Sequence, residues 1–240
     1  MEHIQGRWVM DKTRSTSVDA ILKLQGISWP LRKTLSLVTM YLDISMYPDD
    51  DDTATKTNDA GAGTRARATV IDVYQTATGG LKGTRERRVL DWSVQKHWDY
   101  VFGSATHETG FLEGKADGQG NVYPDVEMRT TIPGDDEGAK EKAKRFLRGE
   151  IREDGSGSTW FIPDRAQGAS EGSKGVWVQT FVQSVPARWT VEQVWGFEQV
   201  DGHLYHSRRL VAVNAKGELV LGRLLYRLLE DRSGIHEGSV

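Results

Sequence analysis

The sequence predicts an all-β fold, a single antiparallel β-barrel with a short helical pair after strand 1 and one surface helix. Segments rich in Val, Ile, Leu, Thr and aromatic residues recur along the 240-residue chain, as strands require. Short Gly-containing turns separate the last of these segments, and only two regions show helical spacing. An antiparallel sheet of this length exposes long edges unless it closes, so we expect a barrel.

The strands are predicted from composition and from the turns between them. After a first strand at the N-terminus, the longer segments are 35–47, 67–75, 82–92, 176–184, 188–197, 203–213 and 218–229. Shorter strands are expected near 100–103, 106–112 and 122–130. The leucines of the last long segment also fit a helix, but Gly222 would weaken a helix there and a Lys216-Gly217 turn precedes it.

The helices are predicted from capping residues and spacing. Ser17 can cap a helix over 18–25, where apolar residues recur at helical intervals. Ser28 can cap a second short turn over 29–33, with proline in its first turn. The largely polar segment 137–148 predicts the surface helix.

We expect a single domain, a β-barrel, over residues 1–240. Its length allows a substantial core, because a domain near this size buries roughly 70% of the surface its unfolded chain exposes. Residues 48–64 are acidic and rich in small side chains, and residues 152–175 are dense in Gly and Ser. Both segments are therefore predicted to be flexible loops.

Composition excludes several classes of protein. The absence of cysteine removes disulfide frameworks, zinc ribbons, iron–sulfur clusters and thiol nucleophiles together. A net charge of −3 favours neither nucleic acid nor an anionic membrane as partner. The first residues lack a signal-peptide pattern, and no run of about 18 apolar residues exists to span a membrane. We expect a cytoplasmic protein without a membrane span.

The sequence motifs predict no cofactor and no metal. Residues 61–66 match a dinucleotide-binding pattern and residues 168–172 match a serine-nucleophile pattern, but neither lies between a strand and a helix. His203 and His206 are three apart on a predicted strand, so they point to opposite faces and cannot share an ion.

The predicted strand 82–92 contains the sharpest anomaly. One face of this strand begins with polar residues and ends with two large apolar ones. Its residues are Thr84, Glu86, Arg88, Leu90 and Trp92. If this face points into the barrel, it carries Glu86 and Arg88 inward, and buried charges must be paired or serve a ligand. The alternative is an exposed strand end with solvated charges.

Two further features leave alternatives open. Eight tryptophans are many for this length, and they suit either a barrel core or the wall of a ligand cavity. Either face of the strand 203–213 could point inward. We favour the face that carries His206 and Arg208, because a histidine beside an arginine titrates near or below neutrality and can exchange protons.

Several segments resemble a family of small fungal lipocalin-like proteins. They are Asp11-Lys12, 21–29, 75–84, Glu86, Arg88, 90–92, 194–198, the Arg208 strand and the Leu225-Tyr226 strand. This resemblance implies a calycin-type β-barrel with an internal hydrophobic cavity. It does not extend to the loop at 48–64 or to much of 115–175.

The resemblance also implies a function. Some similar proteins, associated with fungal natural-product clusters, join a tropolone quinone methide to a humulene-type sesquiterpene by hetero-Diels–Alder cycloaddition. We therefore expect a cofactor-independent pericyclase of fungal secondary metabolite biosynthesis. The alternative is a non-catalytic carrier of a small hydrophobic molecule. The expected partner is a small polyketide or terpenoid, and a homodimer is left open.

A cycloaddition needs two apolar partners held in a reactive pose and a few donors to polarise the oxygen-bearing diene. The expected catalytic residues are Arg88, Glu86 and His206, the last two for proton transfer. The expected substrate-binding residues are Thr84, Trp92, Gln193, Trp195, Arg208 and Tyr226.

Overall fold

A computed structural model describes residues 1–49, 68–117, 119, 121–162 and 176–229. Most of the predicted loop 48–64, and the part 163–175 of the predicted loop 152–175, lie outside the described residues. Their predicted flexibility stays a prediction.

The described chain is all-β with a few short helices. Its strands are β1 Gly6–Met10, β2 Met40–Pro48, β3 Thr69–Ala77, β4 Thr84–Val89, β5 Gln95–Asp99, β6 Gly103–Leu112, β7 Gly114–Ala116, β8 Val122–Pro124, β9 Trp177–Ser184, β10 Trp189–Val200, β11 His203–Asn214 and β12 Leu219–Leu228. Ten of these strands form one antiparallel sheet in the order β4-β3-β2-β1-β12-β11-β10-β9-β6-β5, and β7 pairs with β8. The sheet curls into a nearly closed barrel, which confirms the predicted fold class.

Side chains close the barrel where the backbone ladder stops. The two edge strands, β4 and β5, face each other across a seam. The Gln95 side chain accepts a hydrogen bond from the Val89 N–H at 3.0 Å and donates one to the Val89 carbonyl at 2.9 Å. Beyond the end of β4, the Trp92 N–H donates to the Thr109 carbonyl of β6 at 3.0 Å. Within the described residues, few backbone hydrogen bonds therefore hold the seam.

The long strands follow the sequence prediction, but the short ones do not. Residues 218–229 form a strand rather than a helix, as predicted. Residues 100–102 of the predicted strand 100–103 instead form a turn between β5, which the sequence analysis missed, and β6. Of the predicted strand 122–130, only 122–124 pairs. Strand β4 ends at Val89 rather than at Trp92.

Two helices lie between β1 and β2, α1 Val18–Leu24 and α2 Trp29–Leu37. Ser17 lies in the left-handed region at φ 58° and its side chain makes no capping bond, so the predicted side-chain cap is wrong. Helix α2 extends to Leu37, although residues 35–37 were expected in a strand. The Lys12 ammonium donates to the carbonyls of Leu35, Ser36 and Val38, and these bonds stabilise the helix end.

The third helix, α3 Glu137–Leu147, begins at Asp136, whose side chain accepts from the Ala139 N–H at 2.9 Å. Its outer face is polar, as predicted. Its inner face is buried against the outside of the barrel. Phe146 and Leu147 are fully buried there, in a cluster that also contains Trp177 and Val211. The helix thus gives the protein a second core.

The interior of the barrel holds another apolar cluster. Its buried members include Trp8, Leu42, Ile71 and Trp195, each at most 1% exposed. Among the described residues, no helix has the length and apolar character needed to cross a membrane.

Candidate functional site: a cavity inside the barrel

Two adjoining cavities lie inside the barrel. The larger has a volume of about 400 Å³ and the smaller about 160 Å³. They share a wall formed by Val18, Leu22, Gln75, Phe102, Leu224 and Tyr226. A volume of this order suits one small molecule.

The larger cavity lies beneath the helical pair. Helix α1 contributes Val18 and Leu22 to its wall, and helix α2 contributes Leu35. Leu81 and Phe102 come from the turns at the same end of the barrel. The walls are mainly apolar, so this part suits the hydrophobic body of a ligand.

The smaller cavity lies beside a tryptophan that two guanidinium groups flank. The central carbon of the Arg208 guanidinium lies 3.9 Å from the centroid of the Trp195 ring, and that of Arg88 lies 5.4 Å from it. Both distances are within the range of cation–π attraction. The Trp195 indole N–H donates to Gln193 Oε1 at 3.1 Å, which fixes the plane of the ring.

Arg88 is fully committed to partners in the protein. Its Nη2 and Nε donate to Glu86 Oε2 at 2.6 and 3.2 Å, and its Nη1 donates to Thr180 Oγ1 at 2.7 Å. Although burial raises the pKa of the Glu86 carboxyl, the nearby Arg88 and Arg208 charges outweigh it, and the pKa falls to about 2. Glu86 and Arg88 therefore remain an ion pair at neutral pH.

Arg208, in contrast to Arg88, has few hydrogen-bond partners among the described residues. It is only 7% exposed, and its Nε donates to His206 Nε2 at 3.1 Å. Neither terminal nitrogen makes a hydrogen bond within the described residues, and Nη2 is fully enclosed without a partner. The Tyr226 hydroxyl, also on the cavity wall, likewise has no hydrogen bond there. The polar end of the cavity thus holds donors that no described residue satisfies.

His206 supports this arginine and does not line either cavity. Since its Nε2 accepts from Arg208, the neutral ring carries its proton on Nδ1, which lies 3.2 Å from the Gly196 carbonyl. Burial, with the Arg208 charge, holds its pKa well below the usual value. The ring also stacks on Tyr226, with centroids 5.7 Å apart. Its position favours orienting Arg208 over the predicted proton transfer.

Trp92 does not line the cavity, and this part of the predicted site is wrong. Because β4 ends at Val89 and Trp92 adopts a φ of 62°, the alternation of faces is lost before Trp92. Its ring lies on the outer cluster, where the Arg129 guanidinium stacks 5.0 Å from its centroid. A Cβ at Gly110 would lie 2.1 Å from this ring, so only glycine permits the contact.

The other predicted site residues come together. Thr84 lines the larger cavity, Tyr226 lines both, and Trp195 lies between the two arginines. The smaller cavity is lined by Glu86, Arg88, Gln193 and Arg208. Of the two faces of β11, the one carrying Arg208 and Leu210 points inward, as favoured from the sequence.

The sequence analysis missed three titratable residues of the smaller cavity, His97, Asp99 and His107. His97 and Asp99 alternate with exposed residues along β5, which is the pattern of a strand with one buried face. That strand is short and polar, so its pattern is weak. Among the described residues, no group of three metal-ligating side chains could hold an ion.

Comparisons with known proteins found likenesses in structure only. No family model matches the chain, and neither does any curated protein. Lipid binding protein 8 of Caenorhabditis elegans is similar in structure, with a TM-score of 0.48, 11% identity and coverage of 95% of this chain and 97% of that one. The REP1-NXSQ fatty acid transporter has a TM-score of 0.44 and 11% identity, over 96% and 99% of the two chains. The fluorescent protein UnaG has a TM-score of 0.46 and 10% identity, over 95% and 98%. These likenesses concern the fold alone.

Proposed function

We propose that this barrel binds a small, largely apolar molecule whose polar end carries an oxygen acceptor. The observation that carries the proposal is Arg208, which lines the smaller cavity next to the apolar larger one and whose terminal nitrogens have no hydrogen-bond partner among the described residues. An arginine stays charged even when buried, so its unused donors need an acceptor. A carbonyl or similar oxygen would meet this need, together with the Tyr226 hydroxyl.

The charges around the cavity favour a neutral ligand over a strong acid. Arg88 is neutralised by Glu86, which remains a carboxylate on the same wall and would repel a second one. Asp99 adds another carboxylate at this end. A ketone or enone satisfies Arg208 without bringing a further negative charge.

A matched pair of probes tests the proposal. The ketone 2-tetralone and the hydrocarbon tetralin have nearly the same shape and differ in the oxygen. We expect the protein to bind the ketone about 10-fold more tightly, because a hydrogen bond to a charged donor adds roughly 1.5–3 kcal/mol before solvation of the free ketone is subtracted. Isothermal titration calorimetry measures both affinities.

The Arg208→Met variant should lose most of this preference while retaining tetralin binding. Tyr226→Phe, which removes a hydroxyl and little volume, should lose part of it. Lys216→Met, at an exposed hairpin turn, is the control. Equal affinities for the two probes in the unaltered protein would refute the proposed oxygen site.

A second candidate function is the cofactor-independent cycloaddition that the resemblance to the fungal lipocalin-like proteins implies. It is supported by the placement of Arg208 on Trp195, because a guanidinium donor there can polarise the oxygen of a heterodiene while apolar walls hold the alkene. Incubation with a tropolone quinone methide precursor and humulene, followed by mass spectrometry, tests it. Arg208→Met should slow adduct formation about 100-fold. Adduct formation at the rate of the uncatalysed reaction would leave ligand binding alone.

A further inference from the structure

The smaller cavity contains a histidine oriented by a carboxylate. His97 Nε2 lies 3.1 Å from Asp99 Oδ2, while Asp99 Oδ1 accepts from the N–H groups of Val101 and Phe102, both at 2.7 Å. These bonds hold the carboxylate in place. An ionised carboxylate accepts only, so His97 carries its proton on Nε2 and leaves Nδ1 as an acceptor. Nδ1 makes no hydrogen bond within the described residues, and the side chain is 20% exposed.

The other groups at this end of the barrel are poor bases. Glu86 is paired with Arg88 and its pKa is about 2. Burial and the Arg88 charge lower the pKa of His107 to about 4. Both nitrogens of His206 are engaged, away from the cavity. Among the described groups, His97 is the base suited to neutral pH.

Donors for a developing negative charge line the same small cavity. Arg208 offers its unused guanidinium N–H groups, and Tyr226 offers its hydroxyl. A base and a set of oxyanion donors around one space of about 160 Å³ is the arrangement that proton abstraction beside a carbonyl requires.

We propose that His97, oriented by Asp99, is a catalytic base that transfers a proton to and from the carbon beside the carbonyl of the bound ligand. This rests on the proposed binding of a carbonyl compound at Arg208. The C–H bond breaks and its proton goes to His97 Nδ1, while its electron pair forms the C=C bond of an enolate. The carbonyl oxygen takes the negative charge beside Arg208 and Tyr226. Return of a proton to carbon restores the ketone or gives its isomer, and no oxidant or reductant is needed.

Charges on two strands, β4 and β5, set the proton affinity of His97. The hydrogen bond to Asp99 on its own strand is the largest influence and raises its pKa, which the Glu86 carboxylate of β4 also does. Burial and the Arg88 charge act in the opposite direction. His107, on β6, is neutral at pH 7. The net effect raises the pKa above 6.5, so the basic form of His97 grows as pH rises through that raised value.

Deuterium exchange into 2-tetralone tests the proposal. The protein in D₂O should replace the acidic hydrogens beside the carbonyl faster than buffer alone, as followed by proton NMR. His97→Gln should slow the protein-dependent exchange about 100-fold, which is typical of a lost general base. His203→Gln, which removes an exposed histidine of β11, should exchange like the unaltered protein.

Asp99→Asn is a second variant, and its readout is the pH profile of deuterium exchange, which a purely structural role of Asp99 would leave unchanged. The amide retains an oxygen for the N–H groups of Val101 and Phe102, but it removes the charge beside His97 and places an NH2 group against Nε2. The neutral ring then carries its proton on Nδ1, so exchange should fall, and the pH profile of the remaining exchange should shift to lower pH. Calorimetric binding without exchange would overturn the catalytic proposal and leave the proposed function standing. Absence of 2-tetralone binding would overturn both, and an Asp99→Asn profile unchanged from the unaltered protein would overturn the role of the pair.

Discussion

Buried arginines in this barrel differ in their partners, and the partners decide what each can do. Arg209 donates to Glu198, to two backbone carbonyls and to Ser158, so its guanidinium is satisfied by the protein. Arg88 is satisfied by a carboxylate and a hydroxyl. Within the described residues, Arg208 has one hydrogen bond, to a neutral histidine. Buried donors without a partner are costly, so a ligand with an acceptor atom would bind favourably beside such an arginine.

A charge substitution at Glu86 should reveal its ion pair through the pH dependence of stability. The ordinary pKa of 4.5 falls to about 2 in the folded protein. The ionised carboxylate therefore stabilises the fold above pH 4.5, and this contribution is lost as pH falls toward 2. Glu86→Gln should lower the free energy of unfolding by about 3 kcal/mol at pH 7, because it leaves Arg88 unpaired.

Urea unfolding at pH 7, 5 and 3 measures this difference, which should shrink between pH 5 and pH 3. Glu141→Gln, on the exposed face of α3, should change stability by less than about 0.5 kcal/mol at each pH. A Glu86→Gln difference that stays constant with pH would contradict the depressed pKa.

At the level of elements, a distant side chain sets where α2 ends. The sequence 35–37 reads equally well as the start of a strand, since Leu and Ser occur in both. Lys12 favours the helix for these residues, because its ammonium donates to the last carbonyls of α2 from the segment after β1. No local pattern contains this information. The same applies to β4, whose inward face was predicted correctly through Arg88 but whose end was not, since Trp92 packs against a cluster built by α3.

Replacement of Lys12 should loosen the end of α2 over the larger cavity. Lys12→Met removes the donor for Leu35 and Ser36 and keeps much of the aliphatic stem. We expect the local free energy of opening at the last turn of α2 to fall by about 1–2 kcal/mol, with a smaller change in global stability. Hydrogen–deuterium exchange followed by mass spectrometry on peptides covering 29–40 measures it.

Lys33→Met is the matched control, since Lys33 is an exposed lysine of the same helix. It should leave exchange in these peptides unchanged. Equal protection of the α2 end in the Lys12→Met protein would show that helix packing, rather than the lysine, ends the helix.

For the whole molecule, the strand pattern predicted a barrel but not how it closes. Strands β10 and β11 could be predicted because each is long and largely buried on both faces, so strand-forming residues continue along it almost without interruption. The seam depends on β5, a short strand with charged residues that composition does not reveal. The candidate site has residues both on the long strands and on β5. Its parts on the long strands were predicted, whereas His97 and Asp99 on β5 were missed.

The Gln95 side chain replaces the backbone ladder at the seam, and its removal should open the barrel locally. Gln95→Met keeps similar length and loses both hydrogen bonds to Val89. Each bond contributes roughly 0.5–1.5 kcal/mol net, so stability should fall by about 1–3 kcal/mol. The Val89 amide should lose protection far more than amides in β10, which is paired on both sides. Amide exchange by NMR measures both, and Lys96→Met, an exposed neighbour on β5, is the control. Unchanged protection at Val89 would mean that packing across the seam, not the glutamine, holds the barrel closed.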